Sequence, residues 1–224
     1  MIKLSKRLET ISSLVPINSN IIDIGCDHAL LDIYLYQNKI SNNIIASDIN
    51  SNALNNAKNN IKKNNLDSII ETRLGNGLET LNDNDNVDTI IISGMGAHTA
   101  VCILKNNKNK LKKINTIIIQ SNTKLELLRR EVSKLNYMIN NEIMVEDNKK
   151  TYTIIKFIKG KKKYTKKELY FGPILLKNNQ PIFQTYFEKE LDKLNIYMKL
   201  LPKNHIIDRY KIKKEIRLYH NVID

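Results

Sequence analysis

Short runs of apolar, mostly β-branched residues alternate with amphipathic segments along residues 1–160, and this alternation limits the possible folds most strongly. Five such runs predict strands, at residues 21–24, 44–48, 69–74, 87–93 and 115–120. The segments between them carry apolar residues at helical spacing. Strands that alternate with helices form a mostly parallel sheet that is covered on both faces. The sequence therefore predicts an α/β fold.

Two further apolar runs follow each other without an intervening helix. Residues 137–145 and 151–158 predict neighbouring strands, and the short charged link between them suits a hairpin. Because the strands of a hairpin are antiparallel, we expect an antiparallel edge on the otherwise parallel sheet.

The hydrophobic period changes after residue 160. Residues 161–170 are predicted to form a basic linker. Apolar residues then recur every three or four positions, at Phe187, Leu191, Leu194, Met198 and Leu201 and again at Ile212, Ile216, Tyr219 and Ile223. This spacing predicts two helices that fold back on each other as an antiparallel hairpin of coiled-coil type. The predicted domains are therefore residues 1–160 and residues 161–224.

Positive charge is concentrated in the second of these segments. Residues 161–224 carry 15 Lys and Arg against 7 Asp and Glu, a net charge of +8 out of +13 for the whole chain. A basic segment favours a polyanionic partner, most simply nucleic acid. The alternative is that Lys, Asn and Ile are frequent everywhere in the chain, as in proteins of AT-rich genomes.

Several classes of protein are disfavoured by composition. No stretch approaches the ~20 uncharged apolar residues that span a bilayer, so we expect no membrane association. The first residues lack a continuous apolar segment, which disfavours a secretory signal and favours a cytoplasmic protein. Cys26 and Cys102 do not form a CxxC pair, so we expect reduced thiols and no metal.

Glycine turns follow three of the predicted strands, at Gly25, at Gly75 and Gly77, and at Gly94 and Gly96. In an open parallel sheet, ligands bind at the carboxyl ends of the strands. The first turn, residues 23–29, matches neither G-x-G-x-x-G nor a Walker loop, which disfavours pyrophosphate. A single glycine flanked by acids suits a ligand that carries an amine and a sulfonium.

Asp48 ends the second predicted strand, where an acid can accept hydrogen bonds from ribose hydroxyls. Each of these features has a plainer interpretation, since an acid at a strand end often caps a helix and glycines often form simple turns. Their combination, in order and at successive strand ends, favours a methyl-donor site.

The chain resembles a known family, the bacterial TrmK-type tRNA (adenine-22, N1)-methyltransferases. The resemblance is carried by the motifs Ser-Lys-Arg-Leu at 5–8, Asp-Ile-Gly-Cys-Asp-His-Ala at 23–29, Gly-Asn-Gly-Leu at 75–78, Ser-Gly-Met-Gly at 93–96 and Gln-Ser-Asn at 120–122. It implies a Rossmann-like class I methyltransferase domain and a C-terminal helical hairpin that contacts tRNA. It also implies that S-adenosylmethionine is the cofactor and that the product is 1-methyladenine at position 22.

The resemblance assigns roles residue by residue. The residues implied in cofactor binding are Asp23, Gly25, Asp27, His28, Asp48, Ile49, Asn76, Gly77, Gly94, Met95 and Gly96. The residues implied in substrate binding are Arg7, His28 and Met95. Arg7 is a candidate to hold a tRNA phosphate or to stack on the target base, and the alternative for it is a solvated helix charge.

The expected catalytic residues are Asp27, Gln120 and Asn122. N1 of adenine has its own lone pair, so the reaction needs no general base. We expect Asp27 to stabilise positive charge that develops on the base, with capping of the next helix as its alternative role. Gln120 and Asn122 are expected to hold the base edge.

The chain departs from the family pattern at two positions. Asn76 replaces the usual acid of Gly-Asp-Gly, so its amide NH₂ must find another partner. Ser121 replaces the usual proline between Gln120 and Asn122, which loosens the backbone there.

Two alternative functions compete with the tRNA methyltransferase. One is a methyltransferase of the same fold that acts on another substrate, although Ser93-Gly94-Met95-Gly96 differs from the Asn/Asp-Pro-Pro-aromatic motif of adenine-N6 enzymes. The other is an RNA-binding module with a decayed cofactor site, which Asn76 favours and Asp23, Gly25 and Asp48 disfavour. We expect tRNA as the partner and a monomeric protein.

Overall fold

The structure is a computed structural model that describes residues 2–223. Residues 1 and 224 and the side chain of Ile223 lie outside the described part. The predicted second domain ends at residue 224, which is outside the described part. The side chain of Ile223, the last apolar position of the predicted helical hairpin, is outside it as well.

The described chain forms a seven-stranded sheet in the order β3-β2-β1-β4-β5-β7-β6. Its strands are β1 Asn20–Ile24, β2 Asn43–Asp48, β3 Ile70–Leu74, β4 Thr89–Ser93, β5 Thr116–Ser121, β6 Tyr137–Asp147 and β7 Lys150–Lys159. Strands β1 to β5 are parallel, and the β6–β7 hairpin is antiparallel, with β7 placed between β5 and β6. The predicted parallel sheet with an antiparallel edge is confirmed.

Helices connect the parallel strands and follow the sheet. They are α1 Lys6–Leu14, α2 Leu30–Gln37, α3 Ser51–Lys63, α4 Ala97–Asn106, α5 Leu125–Ser133, α6 Lys166–Phe171, α7 Pro173–Asn178, α8 Pro181–Leu200 and α9 Ile206–Ile223. Short 3₁₀ turns lie at Gly77–Thr80 and Lys110–Lys112. No helix in residues 2–223 combines the length and the apolar character that a bilayer crossing requires.

Both faces of the sheet are buried, as the isoleucine-rich strands require. In β4, Ile90 and Ile92 pack into one apolar cluster with α4 and α5, while Ile91 packs into the opposite cluster with α1, α2 and α3. Successive side chains of a strand point to opposite faces, so a strand that is buried on both faces must be apolar throughout.

The predicted linker at 161–170 is wrong from Lys166 onward, because α6 begins there. Thr165 and Glu168 form a capping box, in which the Thr165 side chain accepts a hydrogen bond from Glu168 N and Glu168 accepts one from Thr165 N. The T-x-x-E pattern that produces this cap is visible in the sequence. The preceding residue, Tyr164, is bound to the sheet, since its hydroxyl accepts a hydrogen bond from Ile139 N (2.7 Å).

The C-terminal helices attach to β6 through a third apolar cluster. Phe171, Phe183, Phe187 and Tyr219 pack around Met144. Helices α8 and α9 also pack against each other, with the ring centroids of Phe187 and Tyr219 5.7 Å apart. The predicted pair of amphipathic helices is present, and its coiled-coil geometry stays a prediction.

Candidate active site

The turn after β1 packs closely against the loop that follows β4. Gly25 has φ of +81° and, with Cys26, donates backbone hydrogen bonds to Ser47 O at the end of β2. The positive φ favours glycine at this position, and a Cβ there would lie 2.5 Å from Met95 Cε, so the Met95 side chain would have to move. The predicted first cofactor loop and the Gly-Met-Gly turn are therefore neighbours in space.

A cavity of about 500 Å³ opens where these loops meet. Its walls include Arg7, Asp23, Asp27, His28 and Met95. Asp23 is only 4% exposed, and its Oδ1 has no hydrogen-bond partner among the described residues. Burial raises the pKa of Asp23 to about 7, with a further increase from Asp48 and an opposing effect of Arg7. A buried carboxyl group that faces a cavity without a partner fits a cationic ligand group.

A second carboxyl group lies near Asp23 and was missed by the sequence reasoning. Asp32 in α2 is fully buried, and neither of its carboxyl oxygens has a hydrogen-bond partner in the described chain. Burial raises its pKa well above the usual value, and the charge of Asp23 raises it further. The available signal was an acid between Leu31 and Ile33, within an otherwise apolar helix.

The residues predicted for the adenosine half of the cofactor lie at the ends of β2 and β3. Asp48 accepts hydrogen bonds from Asn50 N (2.8 Å) and Asp27 N (3.3 Å), so it also holds the first cofactor loop. Ile49 is exposed, and Gly77 is buried against Ile103. None of Asp48, Ile49, Asn76 and Gly77 lines the 500 Å³ cavity.

The substitution at Asn76 leaves its amide with a local partner. Asn76 Nδ2 donates to Glu79 Oε1 (3.4 Å) in the turn that follows. The NH₂ group that the family's acid lacks is therefore satisfied next to the site. The Asn76 side chain remains exposed.

A second cavity of about 350 Å³ adjoins the first. Arg7, Gly94 and Met95 line both cavities, while Gln120, Asn122 and Tyr152 line only the second of the two. Gln120 is buried, and its Oε1 accepts hydrogen bonds from Gly94 N and Arg7 Nη1 (both 3.0 Å). Its Nε2 donates to Asn122 Oδ1 (2.9 Å), so Gln120 fixes the groups around it.

The alternative interpretation of Arg7, a solvated charge on the surface of a helix, is wrong. Its Nη1 also donates to Ser93 Oγ (2.8 Å), and its guanidinium carbon lies 5.5 Å from the centroid of the Tyr152 ring. Arg7 N donates to Asp147 Oδ2 (3.1 Å), which attaches α1 to the β6–β7 hairpin. The sequence analysis quoted Ser93 within the Ser-Gly-Met-Gly motif without giving it a role, and it missed Tyr152. The signal for Tyr152 was the hairpin, because an antiparallel strand brings its first residues to the carboxyl end of β5.

The predicted catalytic residues are divided between the two cavities. Asp27 and His28 are exposed on the first cavity, with Asp27 Oδ2 3.6 Å from His28 Nε2, and they do not line the second. The alternative role of Asp27 as a helix cap is wrong, because α2 is preceded by Ala29 and has no side-chain cap. Asp27 and Ala29 both have positive φ, which is a strained conformation for residues other than glycine.

The parallel sheet, the glycine turns at its carboxyl edge and the two adjoining cavities define a Rossmann-like methyltransferase. The family model of TrmK, tRNA (adenine(22)-N(1))-methyltransferase, matches residues 21–221. The chain is 31% identical over 196 residues to the tRNA (adenine(22)-N(1))-methyltransferase of Bacillus subtilis, covering 85% of this chain and 82% of the relative.

Solved structures give the same result. A Streptococcus pneumoniae structure in complex with S-adenosyl-L-methionine has a TM-score of 0.93 at 29% identity and covers 99% of this chain and 100% of the other. The structure of M. capricolum TrmK with S-adenosyl-homocysteine has a TM-score of 0.89 at 33% identity, with coverage of 99% and 98%. The chain belongs to the TrmK family of tRNA (adenine(22)-N(1))-methyltransferases. It is therefore an S-adenosylmethionine-dependent enzyme, and the two alternative functions are set aside.

Proposed function

We propose that the two adjoining cavities divide the reaction between them. The 500 Å³ cavity holds the methyl-donor end of the cofactor, and the 350 Å³ cavity holds adenine 22 of tRNA. The observation that carries this proposal is that Arg7, Gly94 and Met95 line both cavities. Methyl transfer then takes place at their junction.

On the cofactor side, the unpartnered Asp23 carboxylate faces the positive charge of the ligand, and Gly25 leaves room for close approach of the backbone. S-adenosylmethionine, when bound, supplies a methyl group on a positively charged sulfur. Asp48, Ile49, Asn76 and Gly77 continue the site along the ends of β2 and β3, where the ribose and adenine of the cofactor are expected. Asp27 and His28 close the first cavity from the solvent side, and Asp27 contributes negative charge near the reacting atoms.

On the acceptor side, Asn122 holds the edge of the target adenine. Gln120 acts as a positioning residue, because its amide is already bonded to Gly94, Arg7 and Asn122. The Arg7 guanidinium and the Tyr152 ring form one wall of the 350 Å³ cavity, which we call the acceptor cavity. Since N1 of adenine carries its own lone pair, these residues orient the extruded base and exclude water, and none of them has to remove a proton.

Two single variants test the division of the site. Asp23→Asn should weaken S-adenosylmethionine binding about tenfold or more, because a hydrogen bond to a charged group contributes about 1.5–3 kcal/mol. Asn122→Ala should leave that affinity near the wild-type value and lower kcat on tRNA by about a hundredfold, because the base is misaligned. Calorimetry with the cofactor and single-turnover methylation assays measure the two effects.

Asp67→Asn, at an exposed aspartate after α3, is the matched control and should change neither quantity. If both site variants weaken cofactor binding equally and leave the methylation step unchanged, the division between the cavities is wrong.

We also propose that the enzyme acts as a monomer in the cytoplasm. The family acts on tRNA, and this substrate supports the cytoplasm as the location of the enzyme. Light scattering at micromolar concentration tests the oligomeric state.

A further inference from the structure

A third cavity, of about 440 Å³, lies between the start of α5 and the C-terminal helices. Its walls include Lys124, Arg130, Tyr170, Tyr186 and Tyr219. Asn122 lines both this cavity and the acceptor cavity, so the two adjoin at this side chain. The reaction as derived above uses only Asn122 among the walls of this third cavity.

The walls on the C-terminal side are aromatic. The Tyr186 and Phe187 rings are perpendicular, with centroids 5.0 Å apart, and the Phe187 ring contacts the Tyr219 ring edge-on. Tyr186 is half-buried, so part of its ring is accessible from the cavity. An accessible aromatic ring beside an RNA-processing site offers a surface on which any base can stack.

The opposite wall carries an uncompensated cation. Lys124 Nζ lies 3.0 Å from His98 Nε2, and because an ammonium group only donates, the imidazole nitrogen is the acceptor. In residues 2–223, no carboxylate lies within ion-pair distance of Lys124, whereas Arg130 is paired with Glu126 and Glu131, and Glu190 is paired with Lys193. Lys124 is therefore the cation at this cavity that is available for a phosphate.

An adenine that is extruded into the acceptor cavity remains joined to its neighbours in the tRNA strand. Asn122 lies at the boundary of the acceptor cavity and the third cavity, so the third cavity is the adjoining space for one neighbour of adenine 22. On the basis of the function proposed above, we propose that the third cavity binds a nucleotide adjacent to adenine 22. Its base stacks on Tyr186 and its phosphate contacts Lys124.

The experiment uses the full-length protein and tRNA substrates with single abasic residues at position 21 or 23. Tyr186→Leu should weaken tRNA binding about tenfold, because stacking of one base on an aromatic ring contributes at about this level. Tyr186→Phe should restore wild-type binding, since it keeps the ring. Lys124→Gln should lower the log–log salt slope of tRNA binding by about 0.7–0.9. Lys62→Gln, in the last turn of α3, is the matched control and should leave the slope unchanged.

The abasic substrates separate stacking from a structural effect. One of the two abasic positions should weaken binding to the wild type but cause no further weakening in Tyr186→Leu. If abasic substitution weakens tRNA binding by Tyr186→Leu as much as it weakens binding by the wild type, Tyr186 does not stack on a base. The cavity is then only a crevice between α5 and the C-terminal helices. The same conclusion follows if Tyr186→Phe is as defective as Tyr186→Leu, or if Lys124→Gln leaves the slope unchanged. Cofactor affinity and methylation of unmodified tRNA by the wild type are measured in parallel, so a failure of the proposed function is seen separately.

Discussion

At the scale of single residues, the carboxyl groups of Asp23 and Asp32 present an energetic problem. Three of their four oxygens are buried without hydrogen-bond partners in the described chain. Two neighbouring carboxylates in such surroundings cannot both be ionised without a large desolvation penalty. The raised pKa of Asp32 favours its protonated form, and Asp23 is the carboxyl group of the two that faces the 500 Å³ cavity.

This arrangement predicts a pH-dependent effect of Asp32→Asn on stability. The raised pKa means that folded Asp32 retains a proton that the unfolded chain releases. The wild type therefore becomes less stable as pH rises above about 4, through the interval between the unfolded and folded pKa values. Asn is neutral at every pH and avoids this destabilisation. We expect Asp32→Asn to raise Tm at pH 8, by about 2–4 °C for each kcal/mol recovered, and to raise it less at pH 5.

Thermal unfolding at both pH values measures the difference, with Asp67→Asn as the exposed control. An equal change of Tm at pH 5 and pH 8 would show that Asp32 is not held protonated by the fold.

At the scale of secondary-structure elements, one buried ion pair joins α5 and β6 to the C-terminal helices. Arg129 and Glu142 are both fully buried, and Arg129 Nε donates to Glu142 Oε1 (2.6 Å). Arg129 Nη1 also donates to the carbonyl oxygens of Leu169 (2.9 Å) and Tyr170 (2.8 Å) in α6, and Ile174 N donates to Glu142 Oε2 (3.0 Å). The pair therefore fixes α6 and α7 on the core.

Removing one member of this pair should be strongly destabilising. Glu142→Gln leaves the Arg129 charge buried without its counterion, and such changes cost about 3–5 kcal/mol. Lys193→Gln, which breaks the exposed pair with Glu190 in α8, should cost less than about 1 kcal/mol. Urea unfolding measures both. If Glu142→Gln lowers the free energy of unfolding as little as Lys193→Gln does, water or relaxation of the helices stabilises the buried charge of Arg129 instead.

At the scale of the whole molecule, the boundary predicted at residue 160 does not coincide with a break in packing. Tyr164 and Ile174 pack against the main apolar cluster of the sheet, and Leu169 and Tyr170 are bonded to Arg129. We therefore propose that the core extends to about Asn179, and that α8 and α9 form the separable part of the chain. Residues 180–224 carry 9 Lys and Arg against 6 Asp and Glu, so the truncated chain keeps residues 161–179 and +5 of the net charge of +8.

Two truncations test this division. A chain that ends at residue 160 should be insoluble or unfolded, because it leaves Arg129 and Glu142 without their backbone partners. A chain that ends at Asn179 should fold and bind S-adenosylmethionine with near wild-type affinity. Its tRNA binding should be weaker, with a salt slope reduced by about 0.7–0.9 for each phosphate that α8 and α9 no longer neutralise.

Calorimetry with the cofactor and tRNA binding across a salt series measure the effects of both truncations. If the chain that ends at Asn179 binds tRNA as the full chain does, α8 and α9 do not contact tRNA, and the positive charge of α9 reflects composition only.

The sequence by itself determined most elements of the fold and indicated the loops where we expect ligands to bind. Apolar runs, helical spacing and glycine turns are local features, and they predicted the five parallel strands, the antiparallel hairpin and the loops after β1, β3 and β4. The family motifs added the reaction and the residues that are implied in it. The exceptions at this scale were α6, whose T-x-x-E cap is also local and was assigned to a linker, and α7, which no prediction covered.

Only the tertiary structure decided which of these residues meet. Arg7 and Gln120 are 113 residues apart in the chain but form a hydrogen bond at the acceptor cavity. Asp27 was expected beside Gln120 and Asn122, but it lines a different cavity. Neither the role of Tyr152 nor the unpartnered state of Asp32 can be read from its immediate neighbours in the chain, because both follow from the groups that packing supplies. Periodicity reports which face of an element is buried, whereas the pairing of polar groups across the sheet edge depends on strand order and register, which are properties of the folded chain.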